Sequence, residues 1–362
     1  MKRKLILILF GLCFSLNCMA RVGVFPESTF DQLSYGLYWF GANNQYQKAS
    51  KSTQSGGLYY NPSKPTLIFI HGWQKNHIKK KNRFVFWEKN NGFPNIDFAN
   101  LWISQGYNVG ILYWDQFADE SEVKNAEAKI WSVKGPKKMR WLDSYGTYHS
   151  GPSKNVTQLL LANYRIAMKG FKGSKLRFAG HSLGNQVALR LANQLETLAK
   201  EGEISKKEVP ERVSLLDPFY SNYAKSYLNG KWVGEKARTI VKRIKAYGIA
   251  IDSYRTSALT ATIFVGDQNK KLENSVAFEE EKTKFFNQLE QSKKHDAAIW
   301  LYLWSINYST PTVSNSSMPG LSAASTNSEV KQWMATTNHL VQTSGGKTKN
   351  PKDNVFKLTG AL

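Results

Sequence analysis

The sequence predicts an α/β fold: a mostly parallel central sheet with helices on both faces. Short apolar runs that end at turn residues alternate with longer amphipathic stretches. The runs are continuous rather than alternating, which is how strands buried on both faces read. One run ends at Ala179 and leads directly into Gly180-His181-Ser182-Leu183-Gly184. Leu183, Val187, Leu191, Leu195 and Leu198 then recur at helical spacing. A G-x-S-x-G between a strand and a helix is a nucleophile elbow: a turn too tight for a Cβ at either glycine, with the serine at its tip.

Residues 1–20 are expected to lie outside the fold. Lys2-Arg3-Lys4 is a basic start, residues 5–16 are apolar but too short to span a bilayer, and Cys18-Met19-Ala20 ends in a small residue. The pattern is that of a signal peptide, so the chain is expected to be exported, to a secreted or periplasmic location. Leu12 and Asn17 precede the two cysteines where a lipoprotein signal needs a small residue. Cys13 and Cys18 are the only cysteines, so a mature chain beginning near Arg21 has no disulfide, no cysteine nucleophile and no thiolate metal site. The net charge of +22 over 362 residues falls to +19 when Lys2, Arg3 and Lys4 are removed with no acids. Such a field favours anionic partners or simply keeps the surface solvated. An anionic membrane surface is a candidate partner. Nucleic acid is not expected, because no recognition motif accompanies the charge.

Residues 21–56 read as an N-terminal segment, aromatic over 30–40, that packs on the main domain. Residues 57–308 read as the catalytic domain. In it, residues 58–60 are expected as a short strand and 66–70 as a buried parallel strand that ends at His71-Gly72-Trp73. Residues 79–87, basic and then aromatic, read as a solvated helix with aromatics inward; contact with a membrane is the alternative. Strand 108–114 ends at Asp115. Residues 116–154 form a long aromatic insertion, the kind of loop that binds ligands. A helix over 156–168 precedes the elbow. After it, strands are expected over 213–216, 248–251 and 262–265, ending at Asp217, Asp252 and Asp267. A basic helix covers 235–247. Charged residues 270–294 read as helical, and His295 stands just before an apolar helix over 297–306. Residues 309–362 read as a polar C-terminal tail that covers little, its first twenty residues a linker.

A serine hydroxyl needs a base to become nucleophilic, and the base needs a carboxylate to orient it. In this fold class the chain order is serine, acid, histidine. Ser182 is the candidate nucleophile. Of the six histidines, His71 suits a structural hydrogen bond, and His181 diverges from Ser182 at the turn. His77 and His149 precede the serine. His295 and His339 follow it, and His295 is preferred because the apolar helix fixes it. Asp217, Asp252 and Asp267 each stand at an expected strand end, so the residues alone leave the acid open. No metal-ligand cluster and no phosphate-cradling loop is visible, so neither metal nor cofactor is expected.

The set Phe69-Ile70-His71-Gly72-Trp73, Tyr113-Trp114-Asp115, Gly180-His181-Ser182-Leu183-Gly184 and Leu216-Asp217-Pro218 resembles the pancreatic-type lipase family of α/β-hydrolases, over roughly residues 66–306. The resemblance implies an α/β-hydrolase fold and a Ser182, Asp217, His295 triad, with Asp252 and Asp267 as alternative acids. It also implies an oxyanion hole from the backbone N–H groups of Trp73 and Leu183. Two features depart from the family: no lid disulfide can form, and too few residues remain for its C-terminal β-sandwich. A lid is expected within 116–154 or 253–294. The expected activity is that of a serine carboxylester hydrolase, a lipase or phospholipase-like esterase. Alternatives are an esterase or thioesterase on small soluble or sugar-linked esters, and a lipase-shaped binding protein without turnover.

Overall fold

The computed structural model describes residues 25–89, 92–259 and 266–362. The signal-like segment and the strand expected over 262–265 lie outside these residues. Thirteen strands follow in chain order: β1 Gly36–Phe40, β2 Tyr46–Lys48, β3 Thr66–Ile70, β4 Asn108–Tyr113, β5 Trp141–Leu142, β6 Tyr148–His149, β7 Leu176–His181, β8 Arg212–Leu216, β9 Ala250–Arg255, β10 Ala277–Glu280, β11 Thr312–Val313, β12 His339–Ser344 and β13 Val355–Thr359. Eleven form one sheet in the order β11-β13-β12-β10-β9-β8-β7-β3-β4-β1-β2, and β5 pairs with β6 separately.

Seven neighbours, from β12 through β10, β9, β8, β7 and β3 to β4, run parallel. β1 and β2 extend one end antiparallel, and β13 pairs antiparallel with β12 at the other. The central strands are buried along their whole length, and their mostly apolar residues fit that; exceptions such as Arg177 in β7 and Arg212 and Ser214 in β8 are hydrogen-bonded. Helices Val156–Ala167, Gly184–Lys200 and Val233–Ala246 pack against one another on one side. Helices Phe98–Ser104 and Gln291–Ser305 pair on the other. A mostly parallel sheet, helices on both faces and a strand-turn-helix elbow at its centre make this the α/β-hydrolase fold. Strand β3 has the expected bounds, and the helix over 156–168 and strand β8 fall within a residue of theirs.

Other expectations are corrected. The N-terminal segment enters the sheet as β1 and β2 rather than packing on its outside, because Leu37 to Phe40 are apolar on both faces. Residues 58–60 form no strand; Gly57 and Tyr60 make one isolated bridge. Residues 79–87 form no helix, but Phe84 and Phe86 are buried, and Arg83 is buried too, its Nε 2.6 Å from Asp115 Oδ2. That stretch offers no membrane-facing aromatic surface at these positions. Residues 270–294 are mostly not helical: one turn, Lys270–Glu273, precedes β10, whose Phe278 is buried, and helix returns only at Gln291.

The largest correction concerns 309–362, which is not a tail. It supplies three sheet strands and the helix Asn327–Met334, and buries Val330, Trp333, Leu340 and Phe356. Its carbonyls also receive two buried guanidiniums from the sheet. Arg177 donates to Ala323 O at 2.6 Å, and Arg212 to Ser322 O and Ser325 O at 2.8 Å each. Buried charges must be satisfied in this way, so the segment is part of the core. Among the described residues no helix is long and apolar enough to cross a membrane.

Candidate active site

The elbow forms because two glycines admit it. β7 ends at His181, Ser182 turns left-handed at φ +54°, and the helix begins at Gly184. A Cβ on Gly180 would meet Gly184 O at 2.6 Å, and one on Gly184 would strike the Ile70 carbonyl. A left-handed serine is strained, and such strain persists only where its surroundings over-determine it. Asn185 supplies part of that constraint. Its Nδ2 donates to Ser182 O at 3.0 Å and Leu216 O at 3.1 Å, and its Oδ1 accepts from Leu216 N at 3.1 Å. The elbow is thus tied to the end of β8, where Asp217 follows.

Asp217 is itself left-handed, at φ +40°, and fully buried. Its Oδ2 accepts from Ser257 Oγ, its Oδ1 from Thr256 N at 3.3 Å, and Oδ2 lies 2.6 Å from His295 Nδ1. His295 does not precede its helix as expected; it sits in the second turn of Gln291–Ser305, whose polar first turn runs on into the apolar stretch without a break. Burial disfavours the imidazolium, but the hydrogen bond and charge of Asp217, with the charge of Asp296, outweigh it and raise the pKa above 6.5. His181 packs its ring 4.4 Å from that of His295 and reaches His295 O with Nε2 at 3.0 Å. Burial holds His181 well below the ordinary value and therefore neutral.

Ser182 and His295 line one cavity of about 410 Å³, with Gly72, Trp73, His77, Phe84, Phe93 and Phe219 among its walls. Gly72 packs against the serine: a Cβ there would lie 2.6 Å from Ser182 Cβ. Among the described residues neither Trp73 N–H nor Leu183 N–H has a protein acceptor. Two unpaired amides beside a serine at a helix N-terminus are suited to a developing negative charge.

The Trp73 loop is held from two sides. His71 is buried, with Nδ1 2.9 Å from Gly72 O and Nε2 accepting from Trp114 N at 3.2 Å, the structural role expected of it; burial pushes its pKa down to about 4. Asp119, in the aromatic insertion, accepts from Asn76 N at 2.8 Å and Ile78 N at 2.9 Å, and Trp73 Nε1 donates to Glu120 O at 2.8 Å. Lys129 and Arg140 pair with buried Glu120. The insertion is therefore bolted to the loop under the cavity.

The remaining candidates lie elsewhere. Asp252 is inside β9 rather than at its end, and pairs with buried Arg212, Ser214 Oγ at 2.7 Å and Tyr254 OH at 2.6 Å. Asp267 caps Asn269 N at 2.9 Å and lies 3.9 Å from Arg238. Neither touches a histidine. His339 is buried at the start of β12 against Phe278. His149 stacks on Trp141 and bonds Asp143 at 2.6 Å in the β5–β6 hairpin. His77 reaches the cavity wall, with a buried Nδ1 that lacks a partner. Sequence reasoning missed Asn185, Thr256, Ser257 and Asp296. Asn185 adjoins the motif, but the other three stand in segments with no pattern to mark them. Among the described residues no three His, Cys, Asp or Glu side chains are grouped to hold a metal.

No family model matches the chain, and no curated protein does. Several solved structures resemble it in shape. One is the thioesterase domain from the curacin biosynthetic pathway: 11% identity, 67% of this chain and 92% of that one, TM-score 0.35. A second is FphF, a fluorophosphonate-binding serine hydrolase of Staphylococcus aureus: 13% identity, 74% and 97%, TM-score 0.32. A third is a lipase-esterase related protein from Clostridium acetobutylicum: 13% identity, 74% and 98%, TM-score 0.31.

Proposed function

We propose that the chain is a serine carboxylester hydrolase. The observation that carries this reading is the His295–Asp217 hydrogen bond of 2.6 Å beside a cavity that Ser182 enters from a strained elbow. In this account His295 Nε2 takes the proton of Ser182 as its Oγ attacks the ester carbonyl, while Asp217 holds the Nδ1–H tautomer and steadies the imidazolium. The N–H groups of Trp73 and Leu183 receive the oxyanion. The imidazolium then protonates the leaving alkoxide, an acyl-enzyme remains on Ser182, and water, activated by the same histidine, releases the acid. An acid on the strand next to the nucleophile strand is also what the resemblance to pancreatic-type lipases implies, and within that reading the substrates are lipid esters.

Export through residues 1–20 and attraction to anionic lipid surfaces complete the proposal. The second rests on the charge of +19 alone, since Phe84 and Phe86 are buried. A panel of p-nitrophenyl esters of increasing chain length tests the activity and its class. Turnover that grows with chain length and with interface supports a lipase. Turnover confined to short soluble esters supports an esterase, and none on any ester overturns the reading.

A further inference from the structure

The helix that carries His295 presents Ser292, His295, Asp296 and Ile299 to the cavity, positions three and four apart and so on one face. Asp296 is half-buried there. Among the described residues its carboxylate has no hydrogen-bond or ion-pair partner, although a carboxylate removed from water is normally paired. The charges it feels are those of His295, Asp217 and Glu88, and Glu88 lines the same cavity. Asp217 already serves His295. Burial and the two neighbouring carboxylates push Asp296 up to about 6, so it is ionised at neutral pH. Among the described residues of the lining one is a lysine, Lys75, which is exposed and lies 5.7 Å over the Trp73 ring, where solvent screens it. Phe84, Phe93, Phe219 and Trp73 stand in the same wall, beside the aliphatic Val123 and Ile299. A carboxylate left without a cation, in a cavity that four aromatic side chains also line, is the chemistry that binds an organic ammonium group. It is also opposite in sign to the protein as a whole, so it does not follow from the overall charge.

We propose that Asp296 is a specificity-determining residue, and that the cavity takes esters bearing a cationic, alkylammonium group close to the scissile bond. This inference rests on the hydrolase reading above. The test compares a choline ester with its neutral isostere, the 3,3-dimethylbutyl ester of the same acid, at about pH 8, where Asp296 is charged. The cationic ester is expected to show at least about tenfold higher kcat/KM, roughly the value of one desolvated cation–carboxylate contact. Asp296→Asn should collapse that ratio towards one, whatever it does to the absolute rates, and Glu88→Gln should reduce it partly. Choline binding, followed by calorimetry, is read in parallel and should be lost in Asp296→Asn. Equal kcat/KM for the two esters in the parent, or a ratio kept in Asp296→Asn, overturns the proposal while leaving the hydrolase reading intact. If neither ester is hydrolysed while a p-nitrophenyl ester is, the proposal falls and the hydrolase reading stands; if no ester of either set is hydrolysed, the hydrolase reading falls, and failure of choline to bind then removes the cation site as well.

Discussion

Asp217 Oδ2 and His295 Nδ1 meet at 2.6 Å although 78 residues separate them. One stands at the end of β8, the other in the helix Gln291–Ser305, with β9 and β10 between them among the described residues. In the proposed mechanism the contact gives the three candidate aspartates distinct roles. Asp217→Asn should lower kcat by about 10⁴-fold with little change in folding, because the amide favours the wrong imidazole tautomer. Asp252→Asn should act on stability instead, by about 3–5 kcal/mol, since it strands a buried Arg212. Its folded fraction should turn over normally. Asp267→Asn, at a partly exposed cap, should change kcat by less than threefold, a rough bound. Kinetics paired with thermal melts of the three variants distinguish these outcomes. A large kcat loss at Asp252 in a fully folded variant would move the acid.

The pH profile follows from His295. Its pKa is raised above 6.5 because Asp217 outweighs burial. In its proposed role of base it works when neutral, so kcat/KM should rise with pH and level off only above the ordinary histidine range. The stability linkage has the opposite sign. A raised folded pKa contributes stability that is fully present below 6.5 and is lost as pH rises through the folded value. Acid should therefore strengthen this local contribution while it stops catalysis. In Asp217→Asn the larger counterweight to burial is gone and only the charge of Asp296 remains, so the imidazole should titrate lower than in the parent. An NMR titration of His295 in both proteins measures this, and an unchanged midpoint would contradict it.

Gly72→Ala tests the oxyanion wall. The added methyl would meet Ser182 Cβ at 2.6 Å and His181 O at 2.9 Å, both on a constrained elbow. The loop carrying Trp73 N–H must move instead, and loss of one oxyanion donor costs about 10²–10³-fold in kcat. KM should change less than kcat. A variant with parental kcat would show that Trp73 N–H is not used.

The C-terminal segment gives a stability prediction. Deleting residues 309–362 removes the carbonyls of Ser322, Ala323 and Ser325 from Arg177 and Arg212. It also uncovers one end of the sheet at β10. The truncated chain should be insoluble or lose its cooperative melt, because Arg177 and Arg212 lose these carbonyls and the buried Val330, Trp333, Leu340 and Phe356 are lost from the core. A soluble truncation with a parental melting temperature would return the segment to the status of a tail.

Legibility in the sequence followed chemistry with a local cause. β3 was readable because Thr66–Ile70 is buried on both faces and ends at a glycine turn. The elbow was readable because its glycines are sterically required. Ser182, Asp217 and His295, named from the chain, face or support one cavity. The strands β12 and β13 were not readable. β12 begins with buried His339 and includes buried Gln342, which bonds Asn354, so its polar letters hide a core strand. Asp252 was misplaced for a related reason: a buried arginine allows an aspartate to sit mid-strand, where sequence suggests an end. Thr256, Ser257 and Asp296 owe their positions to tertiary packing alone.

The central claim is that Ser182 is a nucleophile activated by His295. Reaction with a fluorophosphonate probe, followed by mass analysis of the labelled peptide, tests it most directly. The account predicts one label, on Ser182, absent in Ser182→Ala and strongly slowed in His295→Ala, with kcat on any hydrolysed ester falling about 10⁶-fold in each. A folded protein that takes no label, or that is labelled at another residue, or a His295→Ala variant labelled at the parental rate, would contradict it.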